Sequence, residues 1–117
     1  MAAPNIVNVA TITGKTAVQV VTTTATAIVT NSAASGKVFK INALYVANID
    51  GTNAATVNVD VFRSSTAYRL AQVISVPAGT TLDVISKSFY LEEGDALRLT
   101  ASANTRLEAV CSYEEIS

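Results

Sequence analysis

The sequence predicts an all-β chain, folded as an antiparallel, jelly-roll-like β-sandwich of about eight strands. Three observations carry that expectation. β-branched residues recur with period-two alternation, and no segment as long as about eleven residues keeps the 3.6-residue apolar period of a helix. Turn-forming clusters punctuate the chain about every 8 to 15 residues, the spacing of short sandwich strands.

Strands are expected over residues 6–13, 17–23, 27–30, 38–48, 56–61, 68–76, 82–89, 96–101 and 107–113. In the first four, Val, Ile, Thr and Ala dominate. The fifth alternates most cleanly: Val57, Val59 and Val61 share one face, while Thr56, Asn58 and Asp60 share the other, a wet one. Toward the end of the chain, Leu97 and Leu99 point one way and Arg98 and Thr100 the other. Val57, Val59, Val61, Leu97 and Leu99 are thus expected to be buried together. Turns are expected at Gly14-Lys15, Ser35-Gly36-Lys37, Asp50-Gly51-Thr52-Asn53, Pro77-Ala78-Gly79, Glu93-Gly94-Asp95 and Ala103-Asn104, whose residues tolerate turn geometry.

Residues 11–30 read differently, being almost entirely Thr, Ala and Val. Few large side chains fix a register there. Residues 1–30 are accordingly expected to form either an edge hairpin or an N-terminal arm ordered by a neighbouring subunit. With no internal repeat or linker in view, residues 1–117 read as a single β-sandwich domain.

Hydrophobic residues make up 50% of the chain, but with seven aromatics and no Trp the core must be built from small, branched side chains. Charged residues are only 15%, against roughly 25% in a typical soluble domain. So charge-poor a surface suggests coverage by neighbours. Net charge is −1 and no two of the eight Lys and Arg residues are adjacent, so the basic stripe that tracks nucleic acid is missing. No apolar run approaches the roughly 20 residues that span a bilayer. The N-terminus, Met1-Ala2-Ala3-Pro4-Asn5, lacks the basic and apolar regions of a signal peptide.

The chemistry available is narrow. Without His, the commonest general base and the commonest metal ligand are both missing, and Ser-His and Cys-His nucleophiles cannot be assembled. The lone Cys111 can form no internal disulfide and reads as a small core hydrophobe. Phosphate-cradling glycine motifs do not occur. Glu92, Glu93 and Asp95 around Gly94 could offer oxygens to a hard cation, but lack the spaced pattern of a calcium loop; a solvated turn is the simpler reading. Glu114 and Glu115 give no paired-carboxylate geometry. No catalytic, cofactor-binding or metal site is therefore expected, and no enzyme.

The strand Lys40-Ile41-Asn42-Ala43-Leu44-Tyr45-Val46-Ala47-Asn48 and the turn Asp50-Gly51-Thr52-Asn53-Ala54-Ala55 are followed by Thr56-Val57-Asn58-Val59, Val76-Pro77-Ala78-Gly79-Thr80-Thr81-Leu82 and Leu91-Glu92-Glu93-Gly94-Asp95. In that order the segments resemble small β-sandwich virion proteins of tailed bacteriophages, over residues 38–116. The resemblance implies a capsid decoration or cement protein: a homotrimer that binds the major capsid protein and stabilises the shell of a virion assembled in the host cytoplasm. A neck, collar or tail component is the alternative within that resemblance. From another class, a carbohydrate-binding sandwich could stack sugars on Tyr45, Tyr68, Tyr90 or Tyr113.

With one Cys and no His, folding is expected to need no metal. Thermal melts with and without a chelator should coincide. A calcium-dependent rise in melting temperature, abolished by replacing Glu92, Glu93 and Asp95, would reverse the reading of the acidic turn.

Overall fold

The computed structural model describes residues 4–117, and among them it contains nine strands and no helix. The strands are β1 (Ile12–Val21), β2 (Thr26–Thr30), β3 (Val38–Asn48), β4 (Ala55–Arg63), β5 (Thr66–Val76), β6 (Thr81–Asp83), β7 (Phe89–Leu91), β8 (Ala96–Ala101) and β9 (Leu107–Ile116). One sheet runs β1-β9-β3-β6, with β7 also pairing β3, and the other runs β2-β8-β4-β5. Every pairing is antiparallel. With β6 and β7 taken as one broken strand, eight strands divide four to a sheet in the order of a jelly roll, as the sequence predicts.

The break has a local cause. The Val84 amide still donates to the Leu44 carbonyl at 2.9 Å, continuing the pairing of β6 with β3. Ile85 then turns into the core at 7% exposure, its amide donating to Asp83 Oδ1. On β3 the register shifts between Ile41 and Ala43. The single strand expected over residues 82–89 is therefore two short pieces around a buried side chain.

Near the N-terminus the structure corrects the sequence reading more strongly. Gly14 and Lys15 make no turn; they pair with Glu114 and Tyr113 inside β1. The two strands expected over 6–13 and 17–23 are one, and residues 4–11 carry no strand. Neither the hairpin nor the arm describes residues 12–30, because β1 borders one sheet and β2 the other, and Val21 and Val29 lie in the core. The pairing of β1 with β9 and of β2 with β8 supplies the register that composition could not. The part of the arm reading that falls on residues 1–3 lies outside the described residues.

The core is thin and aliphatic. Leu97, Leu99, Val57 and Val59 are buried with Leu44, Ile41, Val46, Leu107 and Cys111, whereas Val61 packs against this cluster only in part. Asp60 corrects the wet face read for the fifth strand. It keeps its place on the outer face, but pairs in register with Arg98 and Arg69 on the two flanking strands. Arg98 Nε bonds its carboxylate at 2.9 Å and lies over the Phe62 ring at 3.9 Å, and Asp60 ends fully buried. A charge shielded by long cationic side chains reads as polar in sequence and as core in space.

β4 and β5 are joined by Ser64 and Ser65, both at positive φ (52° and 61°) between the paired Arg63 and Thr66. Two consecutive left-handed residues are what a type I′ hairpin demands. Sequence reasoning missed this turn because it contains neither Gly nor Asn. At Pro77 to Thr80 and Glu92 to Asp95, Gly79 and Gly94 supply the positive φ at the third turn position, which a side chain would resist.

Truncation of Leu99 to Ala, fully buried on an inner strand of its sheet, should cost about 2–5 kcal/mol in chemical denaturation. Val18→Ala on the exposed side of β1 should stay within about 0.5 kcal/mol of the parent. Comparable losses at both positions would contradict the inside–outside assignment.

Candidate assembly interface

Edge strands are where a sandwich leaves main-chain groups without partners. β1 is such an edge and an unusually regular one. Its ten residues pair one for one with β9, from Ile12 with Ile116 to Val21 with Leu107, without a shift. Val18 is 74% exposed, and Val20 and Ile12 are exposed as well. Val18 also stands in register with Val110 on β9, and Val110 with Tyr45 on β3, which makes an apolar row across the outer face. A shallow hollow there is lined by Val18, Gln19, Val20, Glu108, Ala109 and Val110.

β5, the long edge of the other sheet, differs in kind. Tyr68, Leu70, Val73 and Ile74 are all exposed along it. Its pairing with β4 shifts twice, between Val57 and Val59 and between Val59 and Asp60. At the first shift Gln72 and Val73 stand opposite Asn58 alone, and Val73 takes φ 52°. Its amide donates to Asn58 Oδ1 at 2.7 Å, so a side chain holds the bulge where a ladder bond would otherwise be. Gly is the usual residue at a left-handed bulge position. A β-branched residue there is a genuine outlier, worth about 1–3 kcal/mol of strain.

The acidic turn is solvated only in part: Glu92 and Gly94 are exposed, whereas Asp95 is not. Asp95 is only 1% exposed, and Arg63 bonds it through two nitrogens, Nε to Oδ1 at 2.7 Å. The Glu92 amide donates to Asp95 Oδ2 at 2.8 Å, Glu92 also pairs with Arg63, and Glu93 accepts from the Gly36 amide at 2.9 Å. The Asp95 carbonyl accepts from the amide of buried Asn31, whose side chain bonds the carbonyls of Lys37 and Leu91. Asn48 does the same near the opposite end, bonding the carbonyls of Asn53 and Val76. Both asparagines escaped sequence reasoning, since one buried Asn looks like any loop Asn until its carbonyl partners are known.

The remaining sequence candidates are dispersed. Tyr68 and Tyr90 line one hollow together with Val61 and Arg63, whereas Tyr45 lies on the outer face of its sheet and Tyr113 packs on Phe39 with ring centroids 5.5 Å apart. Glu115 bridges Lys15 and Lys37, while Glu114 pairs in the ladder with Gly14 and Lys40. Cys111 is fully buried, and that burial pushes its thiol up to about 11.

Burial by itself would raise the Asp95 carboxyl, but the Arg63 and Glu92 hydrogen bonds and the Arg63 charge outweigh it and hold the group below its ordinary value. A carboxyl depressed in the folded state adds stability above its unfolded pKa, near about 3.9, and that stability is lost as pH falls through the folded value. Asp95→Asn should therefore lower stability at neutral pH by about 1–3 kcal/mol. It should also flatten the fall in melting temperature below about pH 4. An unchanged acid slope in the variant would show that other carboxylates, such as Glu115, carry the effect.

No family model matches the sequence, and no curated protein matches it. Among solved structures, the fold is similar to that of a protein from Bacillus endospore appendages, described as a novel family of disulfide-linked pili. The TM-score is 0.53 at 18% identity, covering 92% of this chain and 88% of that one. The expected capsid decoration role, with its neck, collar or tail and carbohydrate-binding alternatives, is corrected by this finding: this solved neighbour is a pilus protein and not a phage one, and the likeness shown is one of a two-sheet β-sandwich.

Proposed function

We propose that this chain is a structural, non-catalytic subunit of a pilus-type filament, assembled by repeated contact between the β1 flank of one copy and the β5 flank of the next. The observation that carries the reading is the position of the two long apolar edges. β1 ends one sheet on the side where β2 ends the other, and β5 lies on the opposite side beside the broken β6–β7 edge. A contact between different surfaces of identical copies repeats head to tail, and unless the rotation closes it grows into a filament. The closed trimer expected from sequence would have to meet that closure condition. The pilus description of the structural neighbour supports the same direction.

One feature of that neighbour does not carry over. Its pili are described as disulfide-linked, whereas Cys111, the single cysteine of these 117 residues, is buried with a raised pKa. The thiolate is the species that forms disulfides, so the proposed contact between copies does not rely on a Cys111 disulfide.

Light scattering and negative-stain microscopy at rising protein concentration test the proposal. Filaments are expected from the parent, unchanged by reductant and by Cys111→Ala. Val18→Lys with Val20→Lys places charge on the regular edge and should leave monomers of unaltered melting temperature. A parent that stays monomeric throughout, or a double variant that assembles like the parent, would overturn it.

A further inference from the structure

We infer that Val73 is an apolar knob that seats in the hollow between Val18, Val20 and Val110 of a second copy. This rests on the filament reading and names the side-chain contact within it. The starting point is a mismatch inside the monomer. A β-branched residue is held at φ 52°, its amide fixed by Asn58, and yet its side chain is 63% exposed. Strain of that kind persists where something outside the residue repays it. The Asn58 hydrogen bond holds this backbone, but it does not account for a valine there, because the side chain projects into solvent from the edge of β5 instead of packing within the chain.

The hollow on the opposite flank has matching chemistry. Three of its six lining residues are exposed valines on the outer face, and its only charge is Glu108. Among the described residues Glu108 forms no ion pair. β5 in turn carries a single charge, Arg69. Arg69 reaches Asp60 only at 3.5 Å, while Arg98 already bonds that carboxylate at 2.9 Å. An apolar knob beside a loosely held cation thus faces an apolar hollow rimmed by an unpaired acid. Because the two surfaces lie on opposite flanks, Val73 cannot reach the hollow of its own chain, and the matching chemistry assigns the hollow to a second copy. A mutation-sized apolar knob meeting a pre-existing pocket is sufficient to drive head-to-tail polymerisation in other proteins.

Val73→Gly separates strain from contact, since glycine adopts positive φ freely. The variant should melt at or above the parent's temperature while its critical concentration for assembly rises at least about tenfold, equivalent to 1.4 kcal/mol or more. Val73→Asn, which also tolerates the left-handed region, should lose assembly in the same way. In a second measurement, Val73→Cys and Val18→Cys copies with Cys111 left in place are mixed and oxidised. Cross-linked heterodimers are expected from the mixture, and far fewer cross-linked homodimers from Val73→Cys alone. If the parent forms filaments and Val73→Gly forms them equally well, or if Val73→Gly melts markedly lower because the side chain packs within its own chain, the knob assignment is wrong and the filament reading survives. If the parent never assembles, both fall.

Discussion

One buried carboxylate ties the two sheets together at one end of the sandwich. Asp95 is shielded from water where the turn after β7 leaves one sheet and enters β8 of the other, and Arg63, at the hairpin end of β4, closes on it with a two-nitrogen fork. Such a fork fixes direction as well as distance. Asn31 extends the connection to the loop between β2 and β3, since its amide and carbonyl bond Asp95 and Gly94 while its side chain bonds Lys37 and Leu91. A core of Ala, Val and Leu is slippery, because small side chains interlock weakly across the sheets. Polar groups that tolerate only one set of partners are what align them, and removing one partner would strand the others without water.

The same physics explains which parts of the fold were legible in the sequence. Strands such as β4 and β8 declared themselves because each alternates a buried Val or Leu with a polar residue, and the two-sheet architecture followed from their spacing. Residues 11–30 did not, since Thr, Ala and Val satisfy either face; only the pairing of β1 with β9 and of β2 with β8 decides. Asp60 was misplaced for a complementary reason. Alternation put it on the correct face, but the arginines that enclose it come from β5 and β8, distant in sequence.

The candidate surface was less legible still. The low charge of the chain raised the expectation that some surface is covered, without saying which. Edges are a property of topology, and no local pattern marks Ile12–Val21 as an edge rather than a central strand. Nor does anything in the sequence around Val73 mark a left-handed bulge, which exists because Asn58 on the neighbouring strand offers its side-chain oxygen to the Val73 amide.

The two flanks also constrain how copies can meet. A two-fold contact of β1 with β1 would satisfy the regular edge and stop, forming a closed dimer. It would leave Tyr68, Leu70, Val73 and Ile74 exposed together on the far side, a patch of the type that drives further association. Pairing β5 with β5 leaves Val18, Val20 and Tyr45 in the same position. Only contact between unlike flanks covers both surfaces with one interface, and unless its rotation closes a ring it leaves one of each open at the two ends of the assembly. Under the proposed head-to-tail contact, two unlike apolar edges on a charge-poor sandwich would be covered by one repeated interface, which is what a filament subunit requires.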